Sequence, residues 1–493
     1  MAESDPKRPP ARGRRTRLGV VLVLGLGLLV AGGYLIVRFK TRPTYQGPAR
    51  HVIVISLDTT RVDHLGCYGN ARIRTPRLDA LAAESILFAD YMTVVPTTLA
   101  SHTSLFTGRY PHTHGTPRNG FTVNDENVML AEILYDAGFH TAGFLGSFAL
   151  DSRFDFAQGF EHYDETFPRL VGQEGAVQNE RPAAAVTDAV IAHLDQLGTP
   201  PNLFLFVHYF DPHVTYNPPA PYDTMYGPEA SKKLPPLREI RQQLTRAAKP
   251  GSQTPAARAM AMRYAGEVSY MDEHVGRLID DLRRRGILDD AIVIVTSDHG
   301  ENLWDHPAYF NHGLTVYQST VGAVCMIRLP GGKRGGTRVK ELVASIDVLP
   351  TVLSFLGLPI PNGLDGETID LTEDARPAPS RVRFAEASRP HDRLEAGVRW
   401  FNERKARCVR MGDWKYVRTP YAQTEELYNL AKDPLERRNL LTAPTAEITA
   451  TAAELRRKLE SWTRSASPLP TRFESSQREE TLERLRSLGY AEQ

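Results

Sequence analysis

HVIVISLD, residues 51–58, is a run of β-branched and apolar residues that ends in a carboxylate. Being apolar at successive positions, it reads as a strand buried on both faces, which belongs in a parallel sheet covered by helices. Leu203 to Phe210 and Ala291 to Ser297 repeat the pattern. Between these runs, helical periodicity covers Thr75 to Ser85, Asn127 to Gly138, Pro182 to Leu197 and Arg258 to Arg285, the last stopped by Gly286. Strands alternating with helices predict an α/β domain over residues 50–365, with a large, mostly parallel sheet flanked by helices. Ligands are then expected at the strands' carboxyl ends.

Beyond this frame the pattern changes twice. Asp211 to Pro255 is rich in proline, glycine and charge and too long for an ordinary connection, which suggests a covering loop or a solvated insertion. Residues 366–493 read as a smaller C-terminal α+β subdomain with a helical tail. In it Arg407 to Thr419 and Glu426 to Leu430 form hairpin strands around Gly412-Asp413, and Glu447 to Arg464 is helical.

At the other end, residues 1–17 form a basic tail containing Lys7, Arg8, Arg12, Arg14, Arg15 and Arg17. Leu18 to Val37 follows without a charge; about 20 residues rise roughly 30 Å as a helix, enough to cross a bilayer. A single-pass signal anchor at 18–37 is expected, followed by a linker at 38–49, with a cleaved signal peptide or a buried helix as the alternatives. Basic residues before the run favour a cytoplasmic N-terminus, although Arg38, Lys40 and Arg42 weaken the bias. The anchor and the signal peptide alike place Thr44 onward outside the cytoplasm. The 59 basic and 58 acidic residues nearly cancel, so whole-chain charge gives no case for nucleic acid as a partner. Three cysteines, Cys67, Cys325 and Cys408, supply no disulfide framework, so packing must hold the core.

Two of the buried runs finish in metal-binding residue types. Asp58 ends the first, and Ser297-Asp298-His299-Gly300-Glu301 ends another, where an adjacent Asp-His pair is a two-point clamp for a cation. A single Asp at a strand end is commonly a cap or turn residue. Two such ends together are harder to explain that way.

The segments IVISLDTTRVDHLGCYGN (53–70) and TPRLDALAAESILFADYMTVVPTTLASHTSLFTGRYPHTHG (75–115) resemble the N-terminal signature of sulfatases and related hydrolases of the alkaline phosphatase superfamily. HYFDPH (208–213), AGEVSYMDEHVGRLIDDLRRRGILDDAIVIVTSDHGE (265–301), DWKYVRTPYAQTEELYNLAKDPLERRNL (413–440) and LERLRSLGYAE (482–492) are similar to later family motifs. The resemblance runs from Arg50 to Ala491. It implies an alkaline-phosphatase-like fold and hydrolysis of a sulfate or phosphate ester on a small molecule, glycan or lipid headgroup.

Carried over by position, Asp58, Asp298 and His299 match the family's metal ligands, and Thr98 matches the nucleophile, which also touches the metal. In sulfatases that residue opens a Cys/Ser-x-Pro-x-Arg motif whose Cys or Ser becomes formylglycine. Here Thr98-Leu99-Ala100-Ser101-His102 stands there, so no formylglycine is expected and the hydroxyl itself would attack, activated by the cation. The reading of Thr98 apart from the family is a helix N-cap. His213 matches an active-site histidine near the leaving oxygen. His312 stands where sulfatases commonly place a lysine, and could instead bind a second metal with Asp211 and His213. His102, Asn119 and His208 are the expected substrate contacts. The ligand set suits Ca, Mn, Zn or Mg. Competing readings are a membrane-tethered phosphodiesterase or phosphoalcohol transferase acting on envelope glycan or lipid, and a non-catalytic binding protein on the same fold.

Overall fold

The computed structural model describes residues 44–168, 179–247, 253–372, 381–388 and 405–472, with residues 481, 483 and 484 of the tail. The expected basic tail and membrane span lie outside the described residues. Among the described residues no helix is long and apolar enough to cross a membrane.

The chain opens with β1 (His51–Leu57), α1 (Pro76–Ala83), β2 (Ile86–Phe88), β3 (Tyr91–Met92), α2 (Thr98–Thr107) and α3 (Leu130–Asp136). β4 (His140–Phe144), β5 (His162–Asp164), α4 (Ala183–Leu197), β6 (Leu203–Tyr209), α5 (Leu237–Arg246), α6 (Pro255–Arg284) and β7 (Ala291–Thr296) follow. Then come β8 (Cys325–Arg328), β9 (Arg338–Val339), β10 (Val343–Ala344), α7 (Val348–Leu356), β11 (Val382–Ser388), β12 (Lys405–Met411), β13 (Trp414–Thr419), β14 (Thr424–Asn429) and α8 (Ala446–Arg464).

The main sheet has the order β5-β4-β6-β1-β7-β8-β2-β9. Its first five strands are parallel, and β8 turns antiparallel to β7 and to β2. Every residue of β1 is buried, and its side chains alternate between two layers. Ile53, Ile55 and Leu57 pack with Leu78 of α1, Val186 and Val190 of α4 and Leu278 of α6. Val52 and Val54 pack with Leu99 and Phe106 of α2, Leu130 of α3 and Val352 of α7. The uninterrupted apolar run therefore has one cause, helices on both faces of the sheet.

Register sets the rim. Ser56 is level with His208 of β6 and with Thr296 of β7, so the chain leaves β1 at Asp58 and β7 at Asp298 at the same height. The mostly parallel α/β domain agrees with the sequence expectation, and a four-stranded antiparallel sheet, β11-β12-β13-β14, forms the C-terminal part. Leu455, Leu459 and Trp462 of α8 share a core with this sheet and with Val94, Val95 and Val316 of the main domain. The 211–255 insertion is neither wholly loop nor merely solvated, because α5 buries Ile240 and Leu244 against the main core.

Candidate active site

Asp58 leaves β1 fully buried, and neither of its carboxylate oxygens completes a hydrogen bond of good geometry. The next residue, Thr59, holds a left-handed φ of 50°, which costs a threonine energy and turns the chain sharply at the rim. That turn is pinned on three sides. Thr59 N donates to Asp298 Oδ1 (3.2 Å), Thr59 Oγ1 donates to the Pro212 carbonyl (2.7 Å), and the Tyr264 hydroxyl donates to the Thr59 carbonyl (2.8 Å).

Asp298 uses Oδ1 to accept from its neighbour His299 N (2.8 Å) and leaves Oδ2 without a partner. His299 donates from Nδ1 to the Gly300 carbonyl (3.0 Å), which fixes the tautomer and gives Nε2 a lone pair. That Nε2 lies 3.3 Å from Asp298 Oδ2 and 4.0 Å from Asp58 Oδ1, with no hydrogen-bond partner of its own. One ligand atom from each of Asp58, Asp298 and His299 falls within 4.8 Å of the others, and the same holds for His102, His208 and Asp298. Burial, and then the Asp298 charge, push Asp58 well above the usual carboxylate range. Burial acts on Asp298 in the same direction, but His299, His102 and His208 outweigh it and hold it below its ordinary value. A divalent cation between them would let both acids ionise together. The stranded buried atoms, two kinds of carboxylate oxygen and one imidazole nitrogen, fit such an ion in number and chemistry.

Thr98 is fully buried beside Asp58, where its side chain acts as a hydrogen-bonding neighbour that opposes the rise of the Asp58 pKa. It is the first residue of α2 and not its cap; Thr97 holds the cap position without a side-chain capping bond. The capping bond comes from elsewhere. Asn119 Oδ1 accepts from Leu99 N at 2.7 Å, leaving the buried Asn119 Nδ2 with no acceptor. Ser101 Oγ donates to the Asp298 carbonyl (2.7 Å), tying α2 to the turn that follows β7.

His102 is placed differently from a substrate contact. One helical turn after Thr98, its Nδ1 donates to the Thr98 carbonyl (2.7 Å) and its Nε2 accepts from Ser56 Oγ (2.8 Å), so both nitrogens are spent inside the protein. Burial holds it down at about 3, neutral. His208 lies beside the Asp58, Asp298 and His299 group, its Nε2 3.2 Å from Asp58 Oδ2 and neither of its nitrogens with a hydrogen-bond partner.

Of the second expected cation set, Asp211, His213 and His312, the structure brings together only the two histidines. Their ring centroids are 4.9 Å apart, and His312 stacks on His299 at 4.5 Å. The Asp211 carboxylate turns away to accept from Ala183 N (2.8 Å), capping α4. No group of converging ligand atoms among the described residues contains it. Glu301 takes the place beside the pair, with Oε2 3.4 Å from His312 Nδ1. The sequence reading missed Glu301, although it stands three residues after Asp298 in the run that supplied two ligands. Arg241 of α5 reaches over this group and donates to the carbonyls of Tyr309 (3.0 Å) and Phe310 (2.5 Å).

A helix-mounted hydroxyl, two carboxylates and an imidazole gather at the carboxyl rim of a mostly parallel sheet with the alkaline-phosphatase-like fold. The chain belongs to the sulfatase family, whose model matches residues 50–358, while a model for the N-sulphoglucosamine sulphohydrolase C-terminal region matches residues 307–465. It is thereby a sulfuric or phosphoric ester hydrolase. An ulvan-active sulfatase of Formosa agariphila is 26% identical over 436 residues, covering 83% of this chain and 81% of the relative. The multifunctional alkaline phosphatase superfamily protein PehA of Trinickia caryophylli is 24% identical, covering 80% and 92%. Among solved structures, the phosphonate monoester hydrolase of Agrobacterium radiobacter superposes with a TM-score of 0.66 at 24% identity, over 84% of this chain and 95% of that one.

Proposed function

We propose that this protein cleaves a sulfate or phosphate ester by in-line attack of the Thr98 hydroxyl, without formylglycine, and depends on a divalent metal ion. The observation that carries the reading is the convergence of unpartnered, fully buried ligand atoms of Asp58, Asp298 and His299 beside Thr98. Held by those three side chains and the Thr98 oxygen, a divalent cation would neutralise the nonbridging oxygens and make the hydroxyl acidic enough to attack near neutral pH. Asn119 Nδ2, buried and without an acceptor, is available to donate to an ester oxygen. His213 and His312 are held far below the ordinary imidazole range, chiefly by burial, so they serve as neutral groups that orient the leaving alcohol. Water then hydrolyses the ester formed on Thr98.

Threonine at this position favours a phosphoester, phosphodiester or phosphonate over a sulfate, because a direct alkoxide replaces the aldehyde hydrate that sulfatases use. The test is a panel of p-nitrophenyl phosphate, phosphodiester, phosphonate and sulfate with wild type, Thr98→Ser and Thr98→Ala. Thr98→Ala should lose at least about 10³-fold in kcat with its metal content unchanged. Wild-type turnover in that variant removes the nucleophile assignment, and a fold without stoichiometric metal favours the binding-protein reading. Turnover that depends on an added alcohol acceptor favours the phosphoalcohol transferase.

The apolar run at 18–37 supports a single-pass anchor that holds the catalytic domain outside the cytoplasm, where the substrate would be an envelope or extracellular glycan, lipid headgroup or small molecule. Release of the full chain from membranes by alkaline carbonate would argue against the anchor.

A further inference from the structure

At the opposite end of the sheet from Thr98, three histidines from three elements lie against one another. His140 opens β4, His162 opens β5 and His193 stands on α4. His140 is level with Leu203, the first residue of β6, five residues before His208, and so belongs to the amino rim. The rings of His162 and His193 stack at 4.1 Å and 20°, and those of His193 and His140 at 5.6 Å and 15°. His140 Nε2 and His193 Nε2 approach to 3.3 Å. On the far side of the His140 ring, Nδ1 lies 3.2 Å from Glu161 Oε2. His140 and Glu161 keep 23% and 29% of their side chains exposed, so solvent reaches the group.

Three features give this arrangement a chemical reading. Two nitrogens on one tetrahedral ion, each bonded at about 2.0–2.1 Å, are separated by about 3.3–3.4 Å, the spacing found here. With Nδ1 protonated towards the Glu161 carboxylate 3.2 Å away, the lone pair of His140 lies on Nε2 facing His193; metal-bound histidines are commonly oriented by a carboxylate in this way. Burial, and then the neighbouring His162 and His140, hold His193 down at about 4, so its ring is neutral and able to donate a lone pair at ordinary pH.

We propose that His140 Nε2 and His193 Nε2 bind a divalent transition-metal ion of the zinc or copper class, with His162 turning its ring to supply a third nitrogen and water completing the shell. The site is separate from the hydrolytic centre and shares no residue with it. Its ligands come from two strands and a helix, so the ion would fasten α4 to the edge of the sheet.

The alternative is a purely aromatic stack joined by one N–H···N bond, and two variants separate the readings. His193→Phe keeps the stack and removes the nitrogen, while His140→Gln changes a partly exposed position. Protein already holding the metal of its hydrolytic centre is dialysed against zinc, and its metal content is measured. Wild type should retain one zinc equivalent more than either variant, with equal far-UV circular dichroism and equal hydrolase activity in all three. Copper-loaded wild type should show nitrogen hyperfine structure in its EPR spectrum that both variants lose. Equal zinc content in wild type and variants, or an unchanged copper spectrum, overturns the proposal.

Discussion

Asn119 offers a sharp separation of stability from catalysis. In Asn119→Ala the bond from Leu99 N to Oδ1 disappears, and losing such a capping bond costs about 1 kcal/mol. The stranded Leu99 N–H, buried at the start of α2, adds about 1–3 kcal/mol. Against this, the wild type already buries Nδ2 without an acceptor, a penalty of similar size that the alanine variant escapes. The net loss should therefore be near 1 kcal/mol, read as a lower denaturation midpoint at unchanged slope. Activity should suffer more, because Thr98 immediately precedes Leu99 and a shift of about 1 Å at the nucleophile costs on the order of 10²-fold. Asn119→Asp isolates the second function. It keeps the acceptor for Leu99 N but exchanges the amide donor for a charge facing an anionic ester. Stability within about 1 kcal/mol of wild type is expected. A drop of at least about 10-fold in kcat/KM, with most of the loss in kcat, should accompany it. Wild-type turnover in Asn119→Asp would refute the donor role, and a stability loss above about 3 kcal/mol in Asn119→Ala would refute the cancellation on which the estimate depends.

Chelation should abolish hydrolysis and lower thermal stability, and the stabilisation by re-added metal should grow as pH rises from about 4 towards neutrality. The sign follows from Asp58, whose folded pKa lies above its unfolded value: its contribution to the metal-free fold is present below the unfolded pKa and is lost as pH rises through the folded one. A melting-temperature increment independent of pH would contradict this. Arg241→Ala frees the carbonyls of Tyr309 and Phe310 in a segment where Ala308 and Phe310 hold φ of 78° and 50°. With His312 two residues on, kcat/KM should fall by roughly 10–100-fold while circular dichroism stays unchanged, and Arg241→Lys should recover part of the loss. Lys415→Ala strands the fully buried Glu436, its ion-pair partner at 2.7 Å, and should cost about 3–5 kcal/mol in denaturant unfolding.

The central strands were legible because burial on both faces leaves an apolar run that alternation rules cannot disguise. Short strands carry no such mark: β8 and β2 are recognisable only once they pair with β7 and with each other. β11 escaped for a different reason. Arg383 and Glu386 interrupt its apolar character, yet both are buried, Arg383 on Asp347 (3.0 Å) and Glu386 on Lys405 (2.6 Å). A charged pair separated by many residues looks like loop until its partner is in place. At the site, Asp58, Asp298 and His299 could be read because they end those same strands. Asp211 could not, since nothing in the residues around it shows that it folds back to cap α4, the helix before its own strand, at Ala183, 28 residues earlier. His102 misled for a geometric reason: its ring folds back along the helix to the carbonyl four residues earlier, as residues at that spacing share a face.

These placements decide what can hold an anion here. His102, His208, His213 and His312 are all held below their ordinary pKa, with burial the largest cause in each, so none brings a positive charge at neutral pH. Arg61 is committed to Asp63 and Asp305, and Arg241 to two backbone carbonyls. Asp58, Asp298 and Glu301 contribute only negative charge or a neutral acid. An ester carrying its own negative charge would enter such a pocket against repulsion unless a multivalent cation were bound first. Where a sulfatase with lysine and arginine around its nucleophile can share the task among side chains, under the proposed reading this chain would leave it to the ion, and substrate affinity as well as turnover would depend on the metal. Binding of a non-hydrolysable phosphonate should therefore disappear on chelation even in Thr98→Ala; retained affinity in the metal-free variant would show that a cationic side chain does the work instead.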